Sequence, residues 1–147
     1  TESGLLLQGP FGSGKTHLAV ATLRECIDRV LVHGRFWSAT DLLARSRAGV
    51  KDGTADGPVR DALRAELLVI DDLAQDSSSE WGRSLLWELI DTRYRANKPV
   101  VYTTNASDTL IRERLGGGVL SRLFEMCQLV PVNASDYRAE AARARAA

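Results

Sequence analysis

One stretch near the start of the chain matches the pattern GxxxxGK[ST] in full, and it constrains the fold more than any other feature. Glycines let the backbone curl so that successive N–H groups face an anion, and a helix starting at Lys15 adds the positive end of its dipole. Lys15 is expected to reach the β- and γ-phosphates of a nucleotide, and the Thr16 hydroxyl to join a Mg²⁺ shell. The matching residues are Gly9, Pro10, Phe11, Gly12, Ser13, Gly14, Lys15 and Thr16.

The segments on either side of this loop agree with that interpretation. Gly4 to Gln8 is short and apolar, which predicts a buried parallel strand. Apolar residues at helical spacing then predict a helix from Lys15 to about Val32, closed by Gly34. A phosphate-binding loop of this kind requires a strand before it and a helix after it, and both are predicted here.

Apolar strands alternate with helices along the rest of the chain, which predicts a parallel sheet covered on both faces. The loop 49–58 separates two of the predicted helices. Further strands are predicted at Arg35–Ser38, Leu67–Ile70, Val100–Thr104 and Leu129–Val132. Further helices are predicted at Leu42 to about Arg47 capped by Thr40 or Asp41, Pro58–Leu63, Ser79 to about Ala96, a short one capped by Asp108, Val119–Met126, and a helix or frayed tail over 134–147.

Composition excludes several classes of protein. The 147 residues are 44% hydrophobic, enough for one domain with its own core, and 19 basic side chains balance 19 acidic ones. The balanced charge excludes a uniformly basic nucleic-acid binder. A zinc site is excluded because Cys26 and Cys127 stand far apart in the sequence with no other ligands nearby. The absence of a long apolar stretch predicts a soluble protein. The two cysteines give no disulfide framework, which predicts the cytoplasm as its compartment. Because the first strand starts almost at Thr1, we expect a further segment upstream.

Two polar strand ends supply further candidates for the same site. Asp71 directly follows the predicted strand Leu67–Ile70, where a carboxylate can serve the Mg²⁺. Asp72 is the candidate base for the attacking water, although it is one methylene shorter than the more usual glutamate, and its alternative role is to cap the turn. Asn105 follows the strand Val100–Thr104 and is expected to orient water against the γ-phosphate or to serve as a turn residue.

One arginine stands out from the others by its position. Sixteen of the nineteen basic residues are arginine, so an isolated arginine carries little information. Arg122, however, lies just after the glycine-rich segment 115–118, near the start of a predicted helix. A guanidinium presented there can stabilise charge on a phosphoryl group, which makes Arg122 a candidate catalytic residue.

Taken in order, these motifs resemble the AAA+ ATPases, and within them the bacterial helicase loaders of the DnaC and DnaI type and the transposition ATPases of the IstB type. The resemblance covers nearly the whole chain. It implies that Gly9 to Thr16 is the Walker A loop and that His17, directly after it, also binds the nucleotide. It implies that Asp71 and Asp72 are the Walker B pair and that Asn105 is sensor 1. It also implies that Arg122 is an arginine finger acting on a neighbouring subunit's ATP and that Arg138 is a sensor 2 in cis. The motifs that carry it are Gly14-Lys15-Thr16-His17-Leu18-Ala19, Ile70-Asp71-Asp72-Leu73, Thr103-Thr104-Asn105, Leu120-Ser121-Arg122-Leu123 and Asp136-Tyr137-Arg138.

The same resemblance implies a fold and a function. We expect residues 1–147 to form one α/β P-loop AAA+ domain, with a five-stranded parallel sheet flanked by helices and little or no C-terminal lid. The expected activity is Mg²⁺-dependent ATP hydrolysis in a helicase loader that assembles with itself and ATP on single-stranded DNA. A replicative helicase would bind an upstream domain. The main alternative is a transposition ATPase, and further alternatives are a small-molecule kinase and a nucleotide-dependent scaffold that does not hydrolyse ATP.

The resemblance to helicase loaders also implies that contacts with single-stranded DNA come from the segment between the second and third strands. Its candidate residues are Arg45, Arg47 and Lys51, although the basic and acidic residues of 40–66 balance, so a solvated helix face is the alternative. Phe36 and Trp37 lie in or beside a strand, where core packing is favoured over stacking on bases.

Overall fold

Five parallel strands form one sheet in the computed structural model, which describes residues 3–30, 32–75 and 79–147. The strand order is β2-β3-β4-β1-β5, so the first strand of the chain lies between the last two. The predicted five-stranded parallel sheet is therefore confirmed. The strands are β1 Gly4–Gln8, β2 Gly34–Ser38, β3 Leu67–Asp71, β4 Val100–Thr104 and β5 Cys127–Pro131.

Helices cover both faces of the sheet, but unequally. The helix after β1 packs alone against Leu7, Val69 and Val101, while residues of five other helices pack on the opposite face around Leu6 and Tyr102. Every residue of β3 and β4 is buried, as expected for strands with neighbours on both sides and cover on both faces. The helices are α1 Lys15–Val30, α2 Ala39–Ala48, α3 Asp56–Arg64, α4 Glu80–Arg95, α5 Asp108–Leu115, α6 Gly117–Met126 and α7 Tyr137–Ala146.

The register of the sheet brings the ends of β1, β3 and β4 together. Leu6 pairs with Tyr102, and Ile70 pairs with the same tyrosine from the other side. The carboxyl ends of parallel strands share one edge of a sheet, so the residues that follow β1, β3 and β4 meet there. This edge carries the loop 9–14 and the polar strand ends described above.

The predicted boundaries are wrong at several helix ends because serine caps lie earlier than the predicted ones. Ser38 caps α2 by accepting a hydrogen bond from the Asp41 N–H at 3.0 Å, so neither Thr40 nor Asp41 is the cap. Ser107, not Asp108, caps α5 in the same way.

Three further boundaries also differ from the predictions. Helix α1 ends at Val30, and Gly34 opens β2 instead of closing that helix. Strand β5 begins at Cys127 rather than Leu129, because its pairing with β1 starts at Gly4. The predicted loop 49–58 ends earlier than expected, because α3 begins at Asp56. At the end of the chain, α7 with Asp136 as its N-cap confirms the helical alternative for residues 134–147.

Burial distinguishes the members of two pairs of side chains. Cys127 is buried among apolar neighbours, whereas Cys26 is only partly buried. Trp37 packs against the larger core cluster, but Phe36 is 41% exposed, so the expectation that both belong to the core is wrong for Phe36. Among the described residues, no helix combines the length and apolar character needed to cross a bilayer.

Candidate nucleotide site

The loop between β1 and α1 is shaped by its glycines and by the chain that lies across it. Gly12 has φ +73°, a left-handed conformation that glycine adopts without strain. A Cβ on Gly12 would also overlap the Asp136 carboxylate, and one on Gly9 would overlap the Val132 carbonyl. The segment leading into α7 therefore rests directly on the loop, and the Tyr137 N–H donates to the Gly12 carbonyl at 3.1 Å.

Lys15 lies at the first position of α1, with its ammonium folded back over the loop. It is only 5% exposed, and its Nζ donates to the Pro10 carbonyl at 2.6 Å and the Ser13 hydroxyl at 3.3 Å. Burial lowers the pKa of Lys15, while the nearby carboxylates of Asp72 and Asp71 oppose that shift. The site thus holds a cation beside two acids, at a point where a phosphate can replace the loop acceptors.

A chain of hydroxyl groups joins the loop to the ends of the two neighbouring strands. Thr16 Oγ1 donates to Asp71, with distances of 2.8 Å to Oδ1 and 3.1 Å to Oδ2. Thr103 Oγ1 donates to the same Oδ1 at 2.6 Å and accepts from the Asp72 N–H at 2.9 Å. Asp71 is therefore held from two sides, and its position relative to Thr16 is set by Thr103.

Asp72 leaves the sheet in an unusual backbone conformation that directs it into the same site. Its φ is +55°, a region that aspartate tolerates better than most residues with a side chain. The Asn105 side-chain amide nitrogen lies 3.5 Å from Asp72 Oδ1, which brings these two candidates together. Burial, followed by the charge of Asp71, raises the pKa of the Asp72 carboxyl, and Lys15 and Arg138 partly oppose the shift.

The raised pKa of Asp72 has a measurable consequence for stability. Because the pKa of Asp72 is higher in the folded protein than its ordinary value of 3.8 in the unfolded chain, the folded state binds this proton more tightly. The free energy of unfolding therefore falls as pH rises from about 3.8 to the pKa of the folded state. Asparagine does not titrate. We therefore expect the unfolding free energy of Asp72→Asn, relative to the parent, to increase across that interval and to be constant above it.

Urea unfolding of both proteins at a series of pH values, from acid to neutral, measures this difference. The exposed aspartate in the variant Asp28→Asn is the matched control. A difference between Asp72→Asn and the parent that stays the same at every pH would contradict the shift.

The donor groups in this site fit a hard divalent cation bound with a nucleotide. A hydroxyl and a carboxylate, Thr16 and Asp71, lie within hydrogen-bond distance of each other, and both offer the oxygen ligands that Mg²⁺ prefers. One or two protein oxygens together with phosphate oxygens and water are the usual Mg²⁺ shell at such sites. These two side chains therefore fit the cation that the sequence predicts.

The remaining predicted residues lie in three different places. His17 and Phe11 are exposed on α1 and at the tip of the loop, with Phe11 65% exposed. Arg138 is exposed on the first turn of α7, and its charge acts on both Lys15 and Asp72. Arg122 lies instead on α6, where its Nε donates to Asp91 of α4 at 2.7 Å.

Sequence reasoning missed Thr103, the residue that connects the two strand ends. Its hydroxyl is fully buried, and it contacts Asp71 and Asp72 together. The available signal was a threonine at the polar end of the predicted strand Val100–Thr104. What could not be read from the sequence is the register, in which Ile70 pairs with Tyr102.

Comparison with known proteins points to one family. The family model described as IstB-like ATP binding protein matches residues 1–145. An insertion-sequence ATP-binding protein of Sinorhizobium fredii is 32% identical over 106 residues, covering 70% of this chain and 34% of its own length. The replicative helicase loader DnaC of Escherichia coli is 24% identical over 126 residues, covering 82% of this chain and 50% of that protein.

The fold comparison agrees with the sequence comparison. The crystal structure of a DnaC helicase loader superimposes with a TM-score of 0.82 at 33% identity, over 88% of this chain and 78% of that one. The expected P-loop AAA+ fold is therefore confirmed. The chain spans half or less of the length of the two curated relatives named above.

Proposed function

The chain belongs to the family of IstB-like ATP-binding proteins, and we propose that it hydrolyses ATP as the engine of a bacterial helicase loader. One observation carries the proposal: Lys15, Thr16, Asp71, Asp72 and Asn105 converge at the carboxyl edge of the sheet, linked by the contacts described above. Similarity to DnaC helicase loaders in sequence and fold supports the loader role. Assembly with ATP on single-stranded DNA, and helicase contact through a domain upstream of Thr1, are parts of the proposal.

The chemistry follows from the positions of these side chains. Lys15 leaves its loop acceptors to bind the β- and γ-phosphates, and the N–H groups of the loop face the same oxygens. Thr16 and Asp71 would hold Mg²⁺, which when bound neutralises phosphate charge. Asp72 accepts the proton of the attacking water, and its raised pKa makes its carboxylate a stronger proton acceptor. Asn105, beside Asp72, orients that water.

Two arginines are proposed to contact ATP, one in the same subunit and one in a neighbouring subunit. Arg138 lies close enough for its charge to act on Lys15 and Asp72, which suits contact with the phosphates of the same subunit. Arg122 lies on α6 and would act on the ATP of a neighbouring subunit. This division requires the protein to assemble with itself.

We assign the proposed contacts with single-stranded DNA to the exposed side of α2. The guanidinium of Arg45 lies 5.6 Å from the Trp37 ring centroid, and that of Arg47 lies 5.2 Å from the Trp81 ring centroid. Arginines stacked on aromatic rings offer both charge and a flat surface to bases and phosphates. Lys51 lies exposed just beyond the end of α2 and completes the proposed patch.

The metal assignment can be tested by removing one charge. We expect Asp71→Asn to raise the Mg²⁺ concentration needed for half-maximal ATP turnover by about tenfold or more, because a carboxylate oxygen becomes a neutral amide. The measurement is turnover against Mg²⁺ concentration at constant free ATP. Asp28→Asn, at an exposed position on α1, is the control. An unchanged Mg²⁺ dependence would remove Asp71 from the metal shell.

The loader role is tested by gel filtration of the full-length protein with the replicative helicase of the same organism. The runs are made with and without ATP, and with and without single-stranded DNA. A co-eluting complex is expected. If no complex forms under any of these conditions, the loader proposal is wrong.

A transposition ATPase is the second candidate, and a specific observation favours it. The family model carries the IstB name, and the Sinorhizobium fredii relative is an insertion-sequence ATP-binding protein. Such a protein would use the same residues to hydrolyse ATP but would deliver DNA to a transposase. The same chromatography with the transposase of a neighbouring insertion sequence distinguishes the two roles, because the partner that co-elutes differs.

A further inference from the structure

Arg122 is held in a cradle formed by residues of α4 and the start of α6. Its Nε donates to Asp91 Oδ1 at 2.7 Å, and its Nη1 donates to the Gly118 carbonyl at 3.1 Å. The guanidinium carbon lies 5.3 Å from the Trp87 ring centroid and 5.6 Å from that of Tyr94. Two hydrogen bonds and two aromatic rings thus fix this side chain before any partner is present.

Asp91 is the anchor of the cradle. Its side chain is only 7% exposed, and its two oxygens serve different arginines: Oδ1 binds Arg122, and Oδ2 lies 2.9 Å from Arg95 Nε. Arg95 is 70% exposed, whereas Arg122 is 29% exposed. A carboxylate so enclosed fixes the guanidinium that it binds through a short, charge-assisted bond.

The cradle lies away from the nucleotide site of its own molecule. Helix α4 follows β3 and precedes β4 in a parallel sheet, so it runs from the carboxyl edge back towards the amino edge. Asp91 lies four residues before the end of α4, on the part that leads to the amino edge. Among the charges that shift the pKa values of Lys15 and Asp72, Arg138 is included and Arg122 is not.

One edge of the guanidinium takes no part in the two hydrogen bonds that hold it to other described residues. The hydrogen bonds described above use Nε and Nη1, and Nη2 takes part in neither. Gly118 lies beside this group, and a Cβ there would make ordinary van der Waals contact with Arg122 Nη1 at 3.5 Å and with Trp87 Nε1 at 3.8 Å. Trp87 is itself 42% exposed beside the arginine, and exposed tryptophan with arginine is typical of contact surfaces between proteins.

We propose that Asp91 is a positioning residue: it holds the Arg122 guanidinium against the Trp87 ring, in the orientation in which Arg122 contacts the nucleotide bound by a second copy of this chain. This inference rests on the proposed function, in which the second copy supplies ATP. An arginine side chain that is already held in its binding orientation loses less conformational entropy when the two copies associate. The entropic cost of contacting the neighbouring subunit and its nucleotide is therefore lower. Asp91 touches neither the nucleotide nor the attacking water; it acts through Arg122.

The first test compares single variants. We expect Asp91→Ala to lower ATP turnover of the assembled protein by about 10- to 100-fold, because the guanidinium loses its orientation. Binding of a fluorescent ATP analogue to the variant's own loop should be unchanged. Arg95→Ala is the matched control, since it removes the other partner of Asp91 and leaves the Arg122 contact intact. Full turnover of Asp91→Ala would overturn the proposal.

The second test mixes subunits, a readout that a merely structural role would not move. Lys15→Ala subunits lack nucleotide binding but keep an intact cradle, whereas Asp91→Ala subunits bind ATP but present a misplaced arginine. Each protein alone should be nearly inactive, and their mixture should regain turnover where a Lys15→Ala subunit faces the ATP of an Asp91→Ala subunit. The milder variant Asp91→Asn is mixed in the same way if the alanine variant does not fold.

A third mixture separates failure of this inference from failure of the proposed function. Arg122→Ala is mixed with Lys15→Ala under the same conditions. If this mixture regains turnover and the Asp91 mixture does not, the arginine acts between subunits but Asp91 does not position it, and the inference is wrong. If neither mixture regains turnover, action between subunits is wrong, and the inference fails with it.

Discussion

Lys15→Ala is expected to abolish ATP binding and to lower ATP turnover by about 100-fold or more, since a buried cation that stabilises phosphate charge is lost. The lysine is 5% exposed and lies beside two carboxylates. Without its charge, Asp71 and Asp72 would repel the incoming phosphates. Binding of a fluorescent ATP analogue and steady-state phosphate release measure the two effects separately.

The control for this experiment is a basic residue of the same chain to which no role is assigned. A substitution at Lys51 would also touch the proposed DNA patch, so the control is made at another basic residue: Arg24 is exposed on α1, and Arg24→Ala should leave ATP binding at the parent level. Circular dichroism should show both variants folded, because the loop keeps its glycines. Full activity of Lys15→Ala would refute the assignment of the nucleotide site.

Arg93→Ala is expected to cause the largest loss of stability of any single substitution outside the nucleotide site. The arginine is fully buried, and it donates to four backbone carbonyls. Nη1 binds those of Ala62 and Ala65 at 3.0 Å each, and Nη2 binds those of Glu66 and Pro99 at 3.4 and 2.6 Å. Removing the side chain leaves these carbonyls without that donor and opens a cavity, so we expect a loss of about 3–5 kcal/mol in unfolding free energy.

The measurement is urea unfolding, with the midpoint shifting and the slope staying constant. Arg95→Ala is the control, because this arginine stands two residues further along α4 with its side chain 70% exposed, and should cost no more than about 1 kcal/mol. Arg93→Lys should fall between the two, since a single ammonium keeps the charge but cannot reach four acceptors in a fork. A loss for Arg93→Ala no larger than that of the control would contradict this role.

The parts of the site that are contiguous in the chain could be predicted from the sequence. The loop and the first turn of α1 are adjacent, so glycine spacing and the Lys15-Thr16 pair were sufficient to predict them. Asp71 and Asp72 follow an unbroken apolar strand, and Asn105 follows another. Parallel strands place such ends at one edge, which is why these candidates meet in the structure.

The parts that depend on contacts between distant elements could not be predicted. Arg93 lies on a helix that carries both polar and apolar residues, and its type alone indicates an exposed residue. Its burial follows from how α3 and the loop before β4 pack around it. The pairing of Arg122 with Asp91 likewise joins two helices across 31 positions, and no local pattern indicates it.

Helix starts show the same distinction on a smaller scale. Several polar residues before α2 are competent caps, and the sequence pattern favoured Thr40 or Asp41. The length of β2 decided in favour of Ser38, because the strand ends there and the helix follows without a connecting loop. The end of β2, and not the intrinsic preference of single residues for the cap position, therefore determines that Ser38 is the N-cap of α2.

The place of β1 in the sheet also governs when the nucleotide site can form during synthesis. β1 is made first, yet its two partners are β4 and β5, so Gly4 pairs with Val100 and Cys127. A nascent chain shorter than β4 carries the whole phosphate-binding loop but has no strand beside β1 to hold it. We therefore expect ribosome-bound chains to acquire ATP affinity only after Thr104 has emerged. ATP would then stabilise a nearly complete domain but not a shorter nascent chain.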